Sequence, residues 1–397
     1  MEEKITDCVR YIGVDDVTLD LFEGQYRVPN GISYNSYVIL DEKIAVMDTV
    51  DPRGIREWEE RLLETLDGRK ADYLVIHHME PDHAGALERF LELFPEAVLV
   101  GNAKTFAMME QFFEAGEKVN SKKNRLVVCE GDRLVLGRCV LTFYMAPMVH
   151  WPEVMVSYEC SGKVLFSADA FGRFGALSLT AHEGWACEAR RYYFNIVGKY
   201  GRHVQALLQK MSVLELEYIC PLHGPVIREN LAAFVHLYDI WSSYEPEGRG
   251  VLIACASFHG NTWKAATCMR EQLRALGVVK VVLADLARCD MAEVIEDAFR
   301  YDRMILAAPS YDCGVAPSME DFLHHLWNKN YQKRRVGILE NGSWSPCAAK
   351  KMRELLDRMQ EITIVEPVVT ICSTMKPCDE ENIRALALAM CDVHEKK

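Results

Sequence analysis

The segment Tyr73-Leu-Val-Ile-His-His-Met-Glu-Pro-Asp-His-Ala-Gly85 holds four metal-type ligands within six residues: His78, Glu80, Asp82 and His83. A short apolar run leads into the motif and a helical pattern leaves it. In an extended segment residues two apart point the same way, so His78, Glu80 and Asp82 converge on one side. His83 adds a further ligand at the helix start. Imidazole and carboxylate together suit a first-row transition metal. Four such groups exceed what one ion takes from one loop, which favours two ions. The competing reading is a polar loop that caps a helix, with Asp82 as N-cap.

Three later residues extend the set. His150 lies in Met145-Ala-Pro-Met-Val-His-Trp-Pro152, Asp169 in Val164-Leu-Phe-Ser-Ala-Asp-Ala-Phe-Gly172, and His223 in Cys220-Pro-Leu-His-Gly-Pro225. Each of the three follows an apolar run, where loops gather to build sites. Singly each also reads as a satisfied structural residue; together they complete two coordination sets.

These ligands need a scaffold, and the chain supplies one in two parts. Its 397 residues, at roughly 100–200 per domain, suggest two or three domains. From Val251 onward short apolar strands alternate with amphipathic helices. The strands are expected at Val251–Ala256, Val279–Leu286, Met304–Pro309, Arg335–Glu340 and Ile362–Thr370. Helices are expected at Thr262–Leu276, Met291–Arg300, Ser318–Trp327, Ala348–Gln360 and Asp379–His394. Parallel neighbours need crossover helices, so this rhythm predicts an α/β doubly wound five-stranded parallel sheet. The Pro-, Gly- and charge-rich segment Ser243–Gly250 is the expected linker, giving domains 1–245 and 250–397. The first half mixes β-rich stretches (Tyr34–Asp48, Arg125–Met145, Met155–Ala168) with helices near Ile55–Leu66, His83–Leu93 and Ala186–Leu214, an α+β pattern.

Composition narrows the partners. Lys plus Arg number 45 against 58 for Asp plus Glu, a net charge of −13, which disfavours nucleic acid because that affinity rests on a cationic footprint. The longest largely apolar run, Val140–Val149, is far short of the roughly 20 residues of a membrane span. The N-terminus MEEKITDCVR has no apolar leader core, so a cytoplasmic protein is expected. Fourteen cysteines are scattered and none form C-x-x-C. That disfavours zinc ribbons, rubredoxin-type iron and thioredoxin motifs, and leaves small buried hydrophobes in a reducing compartment as the expectation.

In the second half, Ser257-Phe-His-Gly-Asn-Thr262 separates a strand from a helix. Such a loop can cradle a phosphate through backbone N–H groups, the helix dipole and hydroxyls. It is not a dinucleotide fingerprint, and its plainer reading is a turn capped by Thr262.

The order His-x-Glu-x-Asp-His, then His, Asp and His, resembles the metallo-β-lactamase fold in its flavodiiron version. The likeness spans essentially the whole chain, because that family carries a C-terminal flavodoxin-like domain. It implies an αββα sandwich followed by the doubly wound sheet. It also implies one iron bound by His78, Glu80 and His150, a second by Asp82, His83 and His223, and Asp169 bridging them. Hydrolases of the fold typically have histidine where Glu80 stands, and a hard anionic oxygen there moves preference from zinc toward iron or manganese. Three carboxylates and a bridging hydroxide would neutralise two ferrous ions, easing burial. The spare ring nitrogens need acceptors, which no spacing identifies.

The first loop resembles the flavodoxin phosphate loop, so Ser257, Gly260, Asn261 and Thr262, with the bulkier His259, would hold the FMN phosphate. The matching loops after the third and fourth strands supply Ser310, Tyr311 and Asp312, and Asn341, Gly342, Ser343 and Trp344. Ligands of this fold bind beyond the carboxyl ends of the strands. Tyr311 or Trp344 would stack on the isoalloxazine, the alternative being core or surface packing. The resemblance places Tyr34 and Tyr193 along the gas pocket. Relatives often carry His-Gly upstream of Tyr34-Asn-Ser-Tyr37, where this chain has Glu23-Gly24.

The implied activity is reduction of dioxygen to water, of nitric oxide to nitrous oxide, or of both, in a scavenging role. The implied assembly is a head-to-tail homodimer, extending to a tetramer, that pairs one subunit's FMN with the other's irons. Without a C-x-x-C pair the donor is expected to be external, such as rubredoxin or a reduced deazaflavin. Two rivals are a zinc hydrolase fused to a flavodoxin domain, in which a metal-activated hydroxide attacks an ester, and a non-catalytic electron-transfer flavoprotein.

Overall fold

The computed structural model describes residues 3–113, 119, 124–180 and 184–391. Contacts divide the chain into two compact units, Met1–Asp239 and Ile240–Lys397. Ser243–Gly250 belongs to the second, whose first strand is Gly248–Cys255.

Two large sheets form the body of the first unit, with two small two-stranded sheets beside them. One has seven strands in the spatial order Glu3–Lys4, Val9–Tyr11, Tyr37–Leu40, Ile44–Met47, Tyr73–Val75, Val98–Gly101 and Arg125–Val127. The other has five: Arg133–Val135, Val140–Met145, Met155–Glu159, Val164–Phe166 and Tyr218–Cys220. Their inner faces share one core in which Val9, Ile39, Met47, Val75 and Val100 meet Leu141, Phe143, Met155, Val164 and Phe166. Fully burying each such side chain is worth about 1.5–3 kcal/mol, which sets both registers, since a one-residue slip would turn the apolar set outward. Helices pack outside. In Ile55–Leu66 the buried residues Trp58, Leu62, Thr65 and Leu66 fall at helical spacing, and Trp58 Nε1 donates to Ser36 Oγ at 3.0 Å.

This layering positions the ligand loops. Val164–Phe166 pairs in parallel with Tyr218–Cys220, and Asp169 and His223 each stand three residues beyond their strand's end. His78 stands three residues beyond Tyr73–Val75 in the facing sheet. The two sheets therefore deliver their loops to one end of the sandwich.

In the second unit five parallel strands take the order Val281–Asp285, Gly248–Cys255, Tyr301–Tyr311, Gln332–Asn341 and Gln360–Ile371. A two-residue strand, Gly314–Val315, folds back antiparallel on Tyr301–Tyr311. The reversal of strand order around Gly248–Cys255 opens a crevice at the carboxyl ends. The final helix is described as Pro377–Cys391; the remainder of its expected span to His394 lies outside the described residues.

Arg334 holds the opposite end of this sheet together. It is 2% exposed and donates from Nε to Tyr301 O at 2.8 Å, from Nη1 to Tyr244 O at 2.7 Å, and from Nη2 to Phe299 O. Arg334→Met removes the donor from all three carbonyls at once. The expected loss is about 3–5 kcal/mol, read as a lower denaturant midpoint for the second unit with the first unit's transition unchanged.

Two expectations are corrected. The single helix expected over Ala186–Leu214 is instead a helix Trp185–Tyr192, a wide π-type turn Tyr193–Val197, a 3₁₀ turn Gly198–Tyr200 and a helix Gly201–Met211. The cysteines are not uniformly buried: Cys129, Cys160, Cys187, Cys289, Cys313, Cys372 and Cys378 are exposed.

Candidate metal centre

The loop after Tyr73–Val75 turns into a short helix, Pro81–Ala84, with Glu80 rather than Asp82 at its N-cap position. Pro81 presets the first helical residue, so Asp82 and His83 leave the loop already helical. His78, His83, Asp169 and His223 are buried to 1% exposure or less, and Asp82 and His150 are 8% exposed.

These side chains form two donor groups: His78, Glu80, His150 and Asp169, and beside it Asp82, His83 and His223. In the first, His150 Nε2 lies 3.1 Å from Glu80 Oε2 and 3.0 Å from Asp169 Oδ2. His78 Nε2 lies 3.1 Å from Glu80 Oε2 and 3.4 Å from Asp169 Oδ2. In the second, Asp82 Oδ2 lies 3.4 Å from His83 Nε2 and 3.3 Å from His223 Nε2. Asp169 Oδ1 completes that group, 3.3 Å from His83 Nε2 and 3.7 Å from His223 Nε2. One carboxylate thus presents a different oxygen to each group.

The donor set fits two metal ions. Ligand bonds of about 2.0–2.2 Å put neighbouring donors about 3.0–3.5 Å apart, the spacing seen here. Both oxygens of Asp82 and of Asp169, with His83 Nε2 and His150 Nε2, are buried and make no well-aligned hydrogen bond. These buried atoms crowd together without pairing, as donors shared by a cation would. Without a cation they act on one another's protons. Burial opposes charge on His150, yet Asp169 and Glu80 push it up to about 9, while the neighbouring histidines hold Asp169 well below the usual carboxylate range against its burial.

The surrounding side chains aim the ligands. Glu153, fully buried, has Oε1 2.7 Å from His78 Nδ1 and accepts from Met79 N at 2.9 Å. His223 Nδ1 lies 2.8 Å from Ser33 O. Each contact leaves Nε2 as the metal-facing nitrogen. His77, adjacent to a ligand, is committed elsewhere: its ring spans Asp48 Oδ2 at 2.6 Å and Ser157 Oγ at 2.8 Å. Gly224 follows His223 at φ +81°, and a Cβ there would meet Arg173 Cγ at 2.4 Å, so only glycine fits. Glu153→Gln keeps the shape but weakens the grip on His78. It is expected to lower metal affinity about 10–100-fold, measured by chelator competition.

A cavity of about 280 Å³ opens onto Glu80 and Asp82, walled by Leu19, Leu21, Phe22, Glu23, Tyr34 and Arg53. Phe22 shields His223 edge-on at 5.3 Å. Tyr34 lies against the same ring at 5.8 Å, and its hydroxyl accepts from Arg53 Nη2 at 2.8 Å. Burial and nearby carboxylates keep that hydroxyl protonated, its pKa well above the ordinary tyrosine value. Tyr193 packs on Tyr238 at 5.0 Å; its neighbour Tyr192 is the residue that meets His223, at 5.6 Å. Glu153, Phe22, Arg53 and Tyr192 are additions to the residues picked out by sequence.

The second unit gathers its own residues at the crevice. Gly260, at the N-cap position, takes φ +82° and offers no side chain to the helix Asn261–Ala275, a helix start that suits an anion. Ser257 Oγ accepts from Trp263 N at 3.2 Å. Phe258, not among the residues chosen by sequence, and Tyr311 are half exposed with rings 5.1 Å apart. Trp344 is 84% exposed. Asp312, Cys313, Ser345 and Ser373 all have positive φ, a concentration of strained backbone of the kind found at ligand sites. Ser310 Oγ is engaged by Cys347 N and Ala348 N, Asn341 Nδ2 donates to Ser373 O at 3.0 Å, and Ser343 Oγ meets Ser373 Oγ. Three of the chosen polar groups therefore brace the loops themselves. Thr262 is buried.

Residues 32–224 match the family described as ODP family beta lactamase. The chain is 29% identical over 370 residues to rubredoxin-oxygen oxidoreductase of Megalodesulfovibrio gigas, covering 90% of this chain and 89% of that protein. It is 28% identical over 376 residues to nitric oxide reductase of Moorella thermoacetica, covering 92% of each. Among solved structures, rubredoxin oxygen:oxidoreductase from Desulfovibrio gigas superposes with a TM-score of 0.90 at 27% identity, covering 98% of each chain. A flavodiiron protein from Giardia intestinalis superposes with a TM-score of 0.89 at 24% identity, covering 98% of this chain and 96% of that one.

Proposed function

We propose, from the premise that this chain is a flavodiiron protein, that it reduces dioxygen to water, nitric oxide to nitrous oxide, or both. The observation that carries this reading is the divided carboxylate of Asp169, one oxygen in each of two buried donor groups. His78, Glu80 and His150 would hold one iron, and Asp82, His83 and His223 the other. FMN would lie in the crevice of the second unit, its phosphate on the Ser257–Thr262 loop with His259, Gly260 and Asn261, and its ring among Tyr311, Asp312 and Trp344. What these groups supply when bound is storage and delivery of the two or four electrons the gases need.

The chain's own residues do the rest. Glu80, Asp82 and Asp169 offset the positive charge that the pocket must bury. Glu153 and the Ser33 carbonyl fix which ring nitrogen faces the centre. Leu19, Leu21 and Phe22 line an approach suited to a small uncharged molecule. Tyr34 keeps its proton at Oη and, held by Arg53, can donate a hydrogen bond into the cavity, while Tyr192 packs against His223.

Electrons would come from a separate carrier, of rubredoxin type by likeness to the relatives' names or a reduced deazaflavin. We place the reaction in the cytoplasm; among the described residues no helix is long and apolar enough to cross a membrane. We also propose a head-to-tail homodimer that brings one subunit's flavin to the other's metal pair. An active, flavin-bound monomer in analytical ultracentrifugation would exclude it.

The decisive experiment is anaerobic reduction of the purified protein, with iron and FMN counted per chain and consumption of each gas followed. Two irons, one FMN and gas uptake are expected. Zinc in place of iron, or uptake that survives His83→Ala, would overturn the reading.

A further inference from the structure

A second pair of reactive side chains lies within the first unit, away from the metal centre. Cys8 sits between the strands Glu3–Lys4 and Val9–Tyr11 of the seven-stranded sheet. Cys139 immediately precedes Val140–Met145 of the five-stranded sheet. They are 131 residues apart in sequence, yet their sulfurs are 2.9 Å apart. Both are buried, 6% and 2% exposed. Val140–Met145 separates Cys139, at its start, from His150 beyond its end, so the two sites occupy opposite ends of that strand.

Glu159 lies near enough to suggest a cation held by two thiolates and a carboxylate. The geometry argues otherwise. Two thiolates on one zinc, with bonds of about 2.3 Å in a tetrahedron, stand about 3.8 Å apart. Glu159 is already used as an acceptor, taking Ser161 N at 2.9 Å and Gly162 N at 2.6 Å along with the Ser161 hydroxyl. The sulfurs are also closer than ordinary non-bonded heavy atoms, which settle at about 3.5–4.0 Å.

We propose that Cys8 and Cys139 form a reversible disulfide that staples the two sheets of the first unit when a small peroxide is present. The Cys139 S–H donates to Cys8 Sγ, which favours thiolate on Cys8 and brings it down to about 7 against burial and Glu159; the thiolate is the nucleophile. Hydrogen peroxide is small enough for so enclosed a pair. The Cys8 thiolate attacks one peroxide oxygen, the O–O bond breaks, hydroxide leaves and takes up the Cys8 proton, and a sulfenic acid remains. Cys139 sulfur then attacks Cys8 sulfur, the S–O bond breaks, and hydroxide leaves as water with the Cys139 proton. Two thiols lose two electrons, and one peroxide becomes two waters.

The test treats the metal- and flavin-loaded protein with about one equivalent of hydrogen peroxide, alkylates the remaining thiols and maps peptides without reduction. A linked Cys8–Cys139 peptide is expected, cleaved by dithiothreitol, with a rise of about 5–10 °C in the first unit's melting midpoint. Cys8→Ala and Cys139→Ala should each lose both the link and the rise. The proposal is overturned if Cys129, Cys160 or Cys289 oxidise while Cys8 and Cys139 stay alkylatable. It is equally overturned if the untreated protein carries an extra zinc that both variants lose.

Discussion

Asp169→Ala is expected to abolish gas reduction, with a loss of at least about 100-fold, because it takes one donor from each metal group at once. Weakening an outer partner of a ligand costs about 10–100-fold, and removal of a shared ligand costs more. Iron should fall below one per chain while FMN stays near one per chain, since the flavin crevice belongs to the other unit. Asp169→Asn sharpens the test. It keeps one acceptor oxygen and replaces the other with a donor that repels a cation, so at most one donor group survives. Metal analysis beside single-turnover gas consumption reads both variants. Full iron with full activity in Asp169→Ala would show that the divided carboxylate is not part of the catalyst.

Metal removal is the second large effect, and its size depends on pH. Loaded protein gains stability by mass action, and chelation is expected to cost the first unit about 3–5 kcal/mol, a fall of about 10 °C in its melting midpoint. In the stripped protein His150 titrates near 9, raised from about 6.5. A raised histidine contributes stability that is complete below its unfolded pKa and lost as pH climbs through the folded one. Stripped protein should therefore weaken between pH 6.5 and 9. Loaded protein should not, because its histidines are already neutral, and it should instead fail on acidification as protons compete for the ring nitrogens. Calorimetry of both forms across pH 5–9 checks this; parallel curves would sink it.

The fold was legible where one physical rule dominates. Strands such as Ile44–Met47 and helices such as Met291–Arg300 follow hydrophobic period, and seven ligand-type residues stand out by their type and by their place beyond apolar runs. Glu153 was not legible, because a carboxylate that grips a ligand's far nitrogen has no fixed spacing from it. Tyr192 was missed for a different reason. The resemblance points to its neighbour Tyr193, and successive residues of the helix Trp185–Tyr192 and the turn Tyr193–Val197 project about 100° apart, so one position decides which ring meets His223. At Ser310 residue type leaves the role open, since a hydroxyl near a crevice equally suits the amides of the following helix. The cysteines misled by their average habit: type alone cannot tell Cys220, in the core, from Cys129, on the surface.

The carboxylate that faces two ways makes occupancy a joint property. When Asp169 Oδ2 is engaged, the orientation of Oδ1 is already settled, so the second ion meets a donor whose freedom has been spent. When one ion leaves, an anionic oxygen is stranded beside its neighbour's ligands. Half-filled chains should thus be scarce in any titration, and the centre should load and empty as a pair.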